Sequence, residues 1–460
     1  MVVLASGMSQ LSAFHEALSG RQLSVTSTNS VTGAGSAVGA FAKPIKDAAV
    51  LNVGAVLHRR RLGKSAFADA IITDYDPLDP ATAANPFPAY RKLHQGDRVH
   101  YNPRRATWII SRHNDLREAL KATEQINSTE GVTRIKFAMP FLVFTDGEQH
   151  SQLRKKVQPA FTKRALESWT PMIDDLAKTM VADVIANPGC DVVRRLTIPM
   201  PMSMIAHILG VPDADIAQFR CWSENAVKIM DLAPNLESVG KSVTAVRAVF
   251  ALRSYLLGQF RHGALKDSDT ALGRLVNESA DGPITDDELF AFALLLLAAG
   301  NETTTNLLGG IFDTLARNPD QYDKIRENPE LIPMAVEEQL RYSSPIQHLY
   351  RNTVAGYTVG DVTIPRGSRV LMSYGAANRD PRVFENPDAY IADRNPRMHV
   401  AFGYGAHMCL GAPLARLEAQ AVLRELVQNV KRIEPVSDTT WSTNASLRGP
   451  THLCVRLKGA

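Results

Sequence analysis

The chain has 460 residues, 45% of them apolar and 21% charged, with 51 Lys and Arg against 47 Asp and Glu. The net charge of +4 comes from residues 1–64, which hold seven basic and two acidic residues and leave the remainder at −1; nucleic-acid binding, which needs basic residues massed on one face, is thereby excluded. Cys190, Cys221, Cys409 and Cys454 lack the spacing of a disulfide framework, which indicates a reducing, cytoplasmic location, and no run of residues is long and apolar enough to span a bilayer.

Residues 1–64 read as an extension outside the fold. They are rich in Ser, Thr, Gly and Ala as far as Ala42, then carry a short apolar run, Ala48 to Leu57, ending in His58-Arg59-Arg60-Arg61. Basic residues that follow the apolar part reverse the order of a secretory signal. This part is expected to be disordered, an overlong tail or one bypassed by a start at Met8, with a membrane-surface role as the alternative. Residues 65–460 are expected to form one mainly helical domain with small sheets.

The fold is expected to start near Asp74, with a helix carrying Tyr90, Leu93 and His94. Val99–Tyr101 and Thr107–Ser111 flank a turn and predict two short strands, followed by a helix capped by Asn114. Asp146-Gly147-Glu148-Gln149-His150 opens a helix running through Arg154 and Val157. The middle region alternates helices with stops at Asn187-Pro188-Gly189 and Leu209-Gly210-Val211-Pro212. Thr285 and Glu288 form a capping box at the start of a helix that runs to about Arg317. Its stretch Leu289 to Ala299 is expected to be buried nearly all round. Strand-like alternation returns only after Pro345 and again at Leu453–Leu457.

Two polar spots interrupt this pattern. In Ala299-Gly300-Asn301-Glu302-Thr303-Thr304 an acid and a hydroxyl sit mid-helix, where a carboxylate is costly unless hydrogen-bonded and a threonine can bond the carbonyl one turn earlier. Gly300 is expected to leave a gap beside them. The stretch from Phe402 to Gly411 sets Cys409 on a glycine-rich loop at a helix N-terminus, where the helix dipole and free N–H groups favour a thiolate. A nucleophile would need an oriented base, and zinc would need more cysteines or histidines close by. A lone thiolate points to haem iron, with a buried structural cysteine as the alternative.

The pattern Phe402-x-x-Gly405-x-x-x-Cys409-x-Gly411 resembles the haem-binding signature of the cytochrome P450 monooxygenases. Gly300-x-Glu302-Thr303 resembles the family's oxygen-activation motif, with Glu in the acid position. Glu338-x-x-Arg341 together with Arg394 resembles its structural triad. The resemblance covers roughly Asp74 to Lys458. It implies the P450 fold, a long central helix crossing over the haem, and haem b with Cys409 as axial ligand. It implies Thr303 as the alcohol on the oxygen side, Glu302 as its link to solvent, and His150, Arg154, Arg351 and His407 as propionate ligands. The implied reaction inserts one atom of dioxygen into a small hydrophobic organic substrate; isomerase and peroxide-driven variants share the motifs. Electrons are expected from a separate ferredoxin and its NAD(P)H-dependent reductase, with Arg154-Lys155-Lys156 as part of the docking surface. The substrate pocket is expected around Ile135–Phe144, Met200–Met204, Val227–Leu232, Leu295, Ala298, Ile346–Leu349 and Ala445–Leu447, with plain core as the alternative for the methionines. Gln347 and His348 are candidates for a polar contact there.

Overall fold

The structure, a computed structural model, describes residues 67, 69–96, 99–134, 136, 141–227, 237–261, 273 and 285–459. The extension 1–64 and the expected pocket positions 135, 137–140 and 228–232 lie outside the described residues.

Short strands from two distant stretches of the chain, 71–127 and 349–372, join in one six-stranded sheet. Its members are β1 (Ile71–Ile72), β2 (His100–Asn102), β3 (Thr107–Ile110), β4 (Ile126–Asn127), β5 (Leu349–Thr353) and, beyond the hairpin β6 (Tyr357–Val359) and β7 (Val362–Ile364), β8 (Arg369–Met372). The order is β1-β2-β3-β8-β5-β4. β8 pairs parallel with β3 and antiparallel with β5, so the early hairpin is locked to the chain just before the site. A separate ladder joins β9 (Val430–Pro435) to the strand Val455–Gly459. The sequence reading gives the second of these and misses β9, which continues directly from a helix without a turn residue.

The rest is mostly helix, and seven helices position the site: α1 (His113–Lys121), α2 (Gly147–Val157), α3 (Lys163–Ala186), α4 (Pro199–Ile208), α5 (Asp286–Arg317), α6 (Ile332–Ser343) and α7 (Ala412–Asn429). α1 does not begin on an Asn114 cap. It starts two residues earlier than that cap implies, at His113 with Arg112 in the cap position, and the His113 N–H donates to the Asp380 carboxylate at 3.0 Å.

α5 has 32 residues, about 48 Å. The Thr285 hydroxyl accepts the Glu288 N–H at 3.2 Å, and Glu288 accepts the Thr285 N–H at 2.9 Å, so the capping box forms as expected. Burial along α5 differs from expectation. Leu289 to Ala299 is not covered all round, because Leu295, Leu296 and Ala298 are half-buried and Ala299 is exposed. The fully buried stretch is Thr304–Leu315. Two glycines explain it: a Cβ on Gly309 would stand 2.6 Å from Pro450 and one on Gly310 2.7 Å from the Gln339 amide. Their absent side chains let α6 and the strand Pro450–His452 close on α5.

α6 carries the densest polar network. Arg341 and Glu338 are both 0% exposed. Arg341 donates to both Glu338 oxygens at 2.7 and 2.8 Å and to the carbonyls of Asn378, Pro387 and Ala389 at 2.8 to 3.0 Å. Arg394 donates to Glu338 at 3.0 Å and to the carbonyls of Glu385 and Asn386. The triad thus pins residues 378–394 to α6. Glu338→Ala would leave Arg341 charged and buried without its counter-ion, and is expected to lower unfolding stability by about 3–5 kcal/mol in denaturant titration. Glu330→Ala, on the exposed turn before α6, should fall within about 0.5 kcal/mol of the unaltered protein.

Candidate active site

The cysteine loop departs from regular structure at two glycines. Gly403 and Gly405 both have φ +73°, in the left-handed region, and a Cβ on Gly405 would stand 2.9 Å from the Leu120 carbonyl oxygen. Either effect excludes a larger residue at 405. Gly411, at φ −81° with open space around it, has no such constraint. The Cys409 N–H donates to the Phe402 carbonyl at 2.9 Å, closing the loop just before α7. Cys409 is exposed to solvent, although protein atoms surround it closely enough to affect its thiol. Burial outweighs the other effects and holds its thiol above the ordinary value, while the N–H groups of Gly411 and Ala412 and the charges of Arg154 and Arg416 pull it down. Those donors are the ones that would stabilise a thiolate once a metal takes the proton's place.

α2 brings two predicted residues, His150 and Arg154, to this loop, where they join His407. Arg154 donates to the carbonyls of Ala406 at 3.1 Å and Met408 at 2.8 Å, so it braces the loop backbone. His407 Nε2 lies 2.8 Å from Asp146 Oδ1, and the other Asp146 oxygen accepts the backbone and hydroxyl of Ser128 at 2.7 and 2.8 Å. Burial pushes the Asp146 carboxyl up, but His407 and Ser128 outweigh it and hold it below its ordinary value. The His150 ring lies tilted at 45° against that of His407, with the centroids 4.2 Å apart. Burial, His407 and Arg154 lower His150 to about 4, so it is neutral at pH 7.

Arg351 is not among the groups that meet at His407. It lies buried on β5, donating to the Tyr350 carbonyl at 2.9 Å, and among the described residues no carboxylate pairs with it. The buried Nε2 of His150 likewise has no partner among the described residues. A buried guanidinium and a buried imidazole nitrogen without acidic partners suit a group bearing carboxylates, and the cysteine suits its metal. The donor set therefore fits haem.

The other side of the site is the open stripe of α5. Leu295, Ala298, Ala299, Glu302 and Thr303 recur at helical spacing and are only partly covered or exposed in a helix otherwise packed by its neighbours. The Thr303 hydroxyl donates to the Ala299 carbonyl at 2.6 Å, the back-bond its position predicts. Gly300 plays a different part from the one expected. A Cβ there would meet Ile205 at 3.2 Å, so the glycine serves the contact with α4 rather than a gap beside Thr303.

Several expected pocket residues are also reassigned. Met200, Met202 and Met204 are core, at 2% exposure or less. Gln347 accepts the Tyr90 hydroxyl at 2.6 Å and donates to the Ser343 and Ser344 carbonyls, and His348 is 0% exposed. Neither faces open space. Leu295, Ala298, Ile346, Leu349, Ala445 and Leu447 keep partial exposure, and a β-bridge joins Ile346 to Leu447.

Comparison with known proteins decides the family. The family profile described as cytochrome P450 matches residues 261–445. Cytochrome P450 130 of Mycobacterium tuberculosis is 35% identical over 396 residues, 82% of this chain and 96% of that protein. This chain belongs to the cytochrome P450 family. The beta-dihydromenaquinone-9 omega-hydroxylase of Mycobacterium tuberculosis is 43% identical over 415 residues, 90% of this chain and 85% of that one. Among solved structures, the P450 CYP109Q5 from Chondromyces apiculatus matches with TM-score 0.76 at 30% identity, covering 84% of this chain and 98% of that chain. CYP109E1 from Bacillus megaterium in complex with testosterone matches with TM-score 0.74 at 30% identity, covering 81% and 99%. The P450 is thus a haem-thiolate monooxygenase with the expected fold. Among its described residues no helix is long and apolar enough to cross a membrane.

Four residues of this P450 site escaped the sequence reading: Asp146, Glu337, His399 and Arg416. Glu337 accepts both Arg416 and His399, and although burial raises its carboxyl, these partners hold it down to about 2. The available signal was positional, since Asp146 lies one turn before His150 and Glu337 abuts Glu338.

Proposed function

We propose that this P450 hydroxylates the end of a long, hydrophobic, prenyl-type chain, with Cys409 as the haem ligand. The observation that carries the substrate reading is the 43% identity over 90% of the chain to a hydroxylase of beta-dihydromenaquinone-9. The apolar stripe of α5 supports it, since Leu295, Ala298 and Ala299 offer no polar contact near Thr303.

Haem, when bound, supplies the activation of dioxygen, with the thiolate pushing electron density toward O–O cleavage. One oxygen atom enters a C–H bond, the other leaves as water, and two electrons and two protons are consumed. The protein's own residues supply the rest. Gly411 and Ala412 hold the sulfur charge; His150, Arg351, His407 and Arg154 anchor the haem carboxylates; Phe402 and Gly405 shape the loop beneath. Thr303, released from Ala299, donates on the oxygen side, and Glu302 relays protons from solvent to it. Uncovered apolar residues exclude water once substrate is seated. Residues 65–460 act as this one catalytic unit, in the cytoplasm.

Electrons come from a separate ferredoxin and its NAD(P)H-dependent reductase. The docking surface differs from the run Arg154-Lys155-Lys156. Arg154 is bound to the cysteine loop, and Lys156 pairs with Glu288 at 2.8 Å, tying α2 to the start of α5. Lys155 is exposed, and the same side of the fold carries Met408 and Met398, exposed by 51% and 47%, with Arg117 over the Tyr404 ring at 4.2 Å. A cationic rim around apolar side chains fits an acidic carrier.

Two measurements check these readings. A menaquinone with a polyprenyl tail should shift the haem spin state and yield a tail-hydroxylated product with a surrogate ferredoxin system; turnover of a steroid with no response to the quinone would contradict the substrate class. Lys155→Glu with Arg117→Glu should slow reduction by ferredoxin about tenfold at low salt without changing substrate affinity. Unchanged reduction kinetics would remove the docking surface.

A further inference from the structure

Adjacent carboxylates on α6 serve two different parts of the fold. Glu338 is committed to residues 378–394, whereas Glu337 turns to the cysteine loop. Its Oε1 accepts Arg416 Nε at 2.6 Å, and its Oε2 accepts the same guanidinium at 2.8 Å and meets His399 Nε2 at 2.9 Å. His399 and Arg416 bracket the loop in sequence, one before Phe402 and the other after Cys409. Both also close on Phe402: the Arg416 guanidinium lies 4.6 Å from its ring centroid and the His399 ring 6.1 Å away. The Phe402 carbonyl in turn accepts the Cys409 N–H at 2.9 Å.

His399 is oriented by two contacts. Its Nδ1 accepts the Ala401 N–H at 3.2 Å, which turns Nε2 toward Glu337. Arg416 is the permanent cation that Glu337 offsets. The charge of Arg416 is felt at Cys409. A carboxylate that grips a cation in two places fixes its direction as well as its charge.

We propose that Glu337 is a positioning residue, which clamps Phe402 through Arg416 and His399 and, by offsetting the Arg416 charge, sets the donor strength of the Cys409 sulfur. The inference rests on Cys409 as the axial ligand. A sulfur facing more positive charge donates less, and the bound haem is then easier to reduce.

The test is a spectroelectrochemical titration of the haem-loaded, full-length protein and of Glu337→Gln, Arg416→Gln and the double variant. Glu337→Gln keeps the shape and frees the Arg416 charge, so the midpoint potential moves to more positive values. Arg416→Gln removes the cation and moves it to more negative values, and the double variant returns toward the unaltered protein. Opposite signs that cancel are the mark of charge, since mere loosening of the loop moves both single variants the same way. Shifts of the same sign, or none in either, overturn the proposal. Where Glu337→Gln does not retain haem, Arg416→Gln decides alone: a negative shift supports the role, and a positive or absent shift overturns it. The reduced carbon monoxide complex of the unaltered protein separates the two failures. Without a thiolate-type band the ligand assignment falls; with that band and same-signed shifts, only the role of Glu337 falls.

Discussion

A guanidinium sealed from water must give its N–H groups to protein oxygens, and Arg341 is in that position. It spends them on Glu338 and on three backbone carbonyls between residues 378 and 389. Removing two charges from water costs several kcal/mol per ion unless their partners are complete, so this region forms whole or not at all. The order then spreads along a traceable path. Asn378, whose carbonyl Arg341 holds, accepts the Val400 N–H on its side chain at 2.7 Å, and the Val400 carbonyl accepts the Gly403 N–H at 2.9 Å. The path ends in the left-handed turn that carries Cys409. Asp380, in the same segment, starts α1, whose Leu120 carbonyl is what Gly405 must avoid.

The two sides of the site have opposite character. Beneath, Arg154, Asp146, Glu337 and Arg416 hold the cysteine loop through charge-assisted bonds, leaving little freedom at the sulfur. Above, α5 offers a strip of small and apolar side chains interrupted by the carboxylate of Glu302 and one hydroxyl, and that hydroxyl is bonded to its own helix. A rigid ligand opposite a permissive apolar face suits one invariant chemistry applied to varied hydrophobic molecules. The relatives illustrate this, one named for a quinone and another solved with a steroid.

Much of this was legible from residue order. The capping box, the α5 span, the Glu338–Arg341 pair and the cysteine loop each depend on residues close in sequence, and their spacing carries the geometry; Arg394, 56 residues from Glu338, was placed by the family resemblance. What failed depended on distant partners. Asn114 looked like a cap because Asp380 lies far along the chain, and Gly300 looked like a gap because nothing local reveals Ile205. Lys156 read as a free surface charge until α2 met Glu288. The central apolar run of α5 read as buried because an apolar face toward a cofactor and one toward a core have the same composition. Glu337 was hidden by its neighbour, since the pattern that singles out Glu338 and Arg341 says nothing of the carboxylate beside them.

The central claim is that these contacts present Cys409 as a thiolate to haem iron. The reduced carbon monoxide difference spectrum of the unaltered protein and of Cys409→His tests it most directly. A thiolate-type band in the first that is lost in the second, with haem still bound, is the predicted result. The same band in both would contradict it.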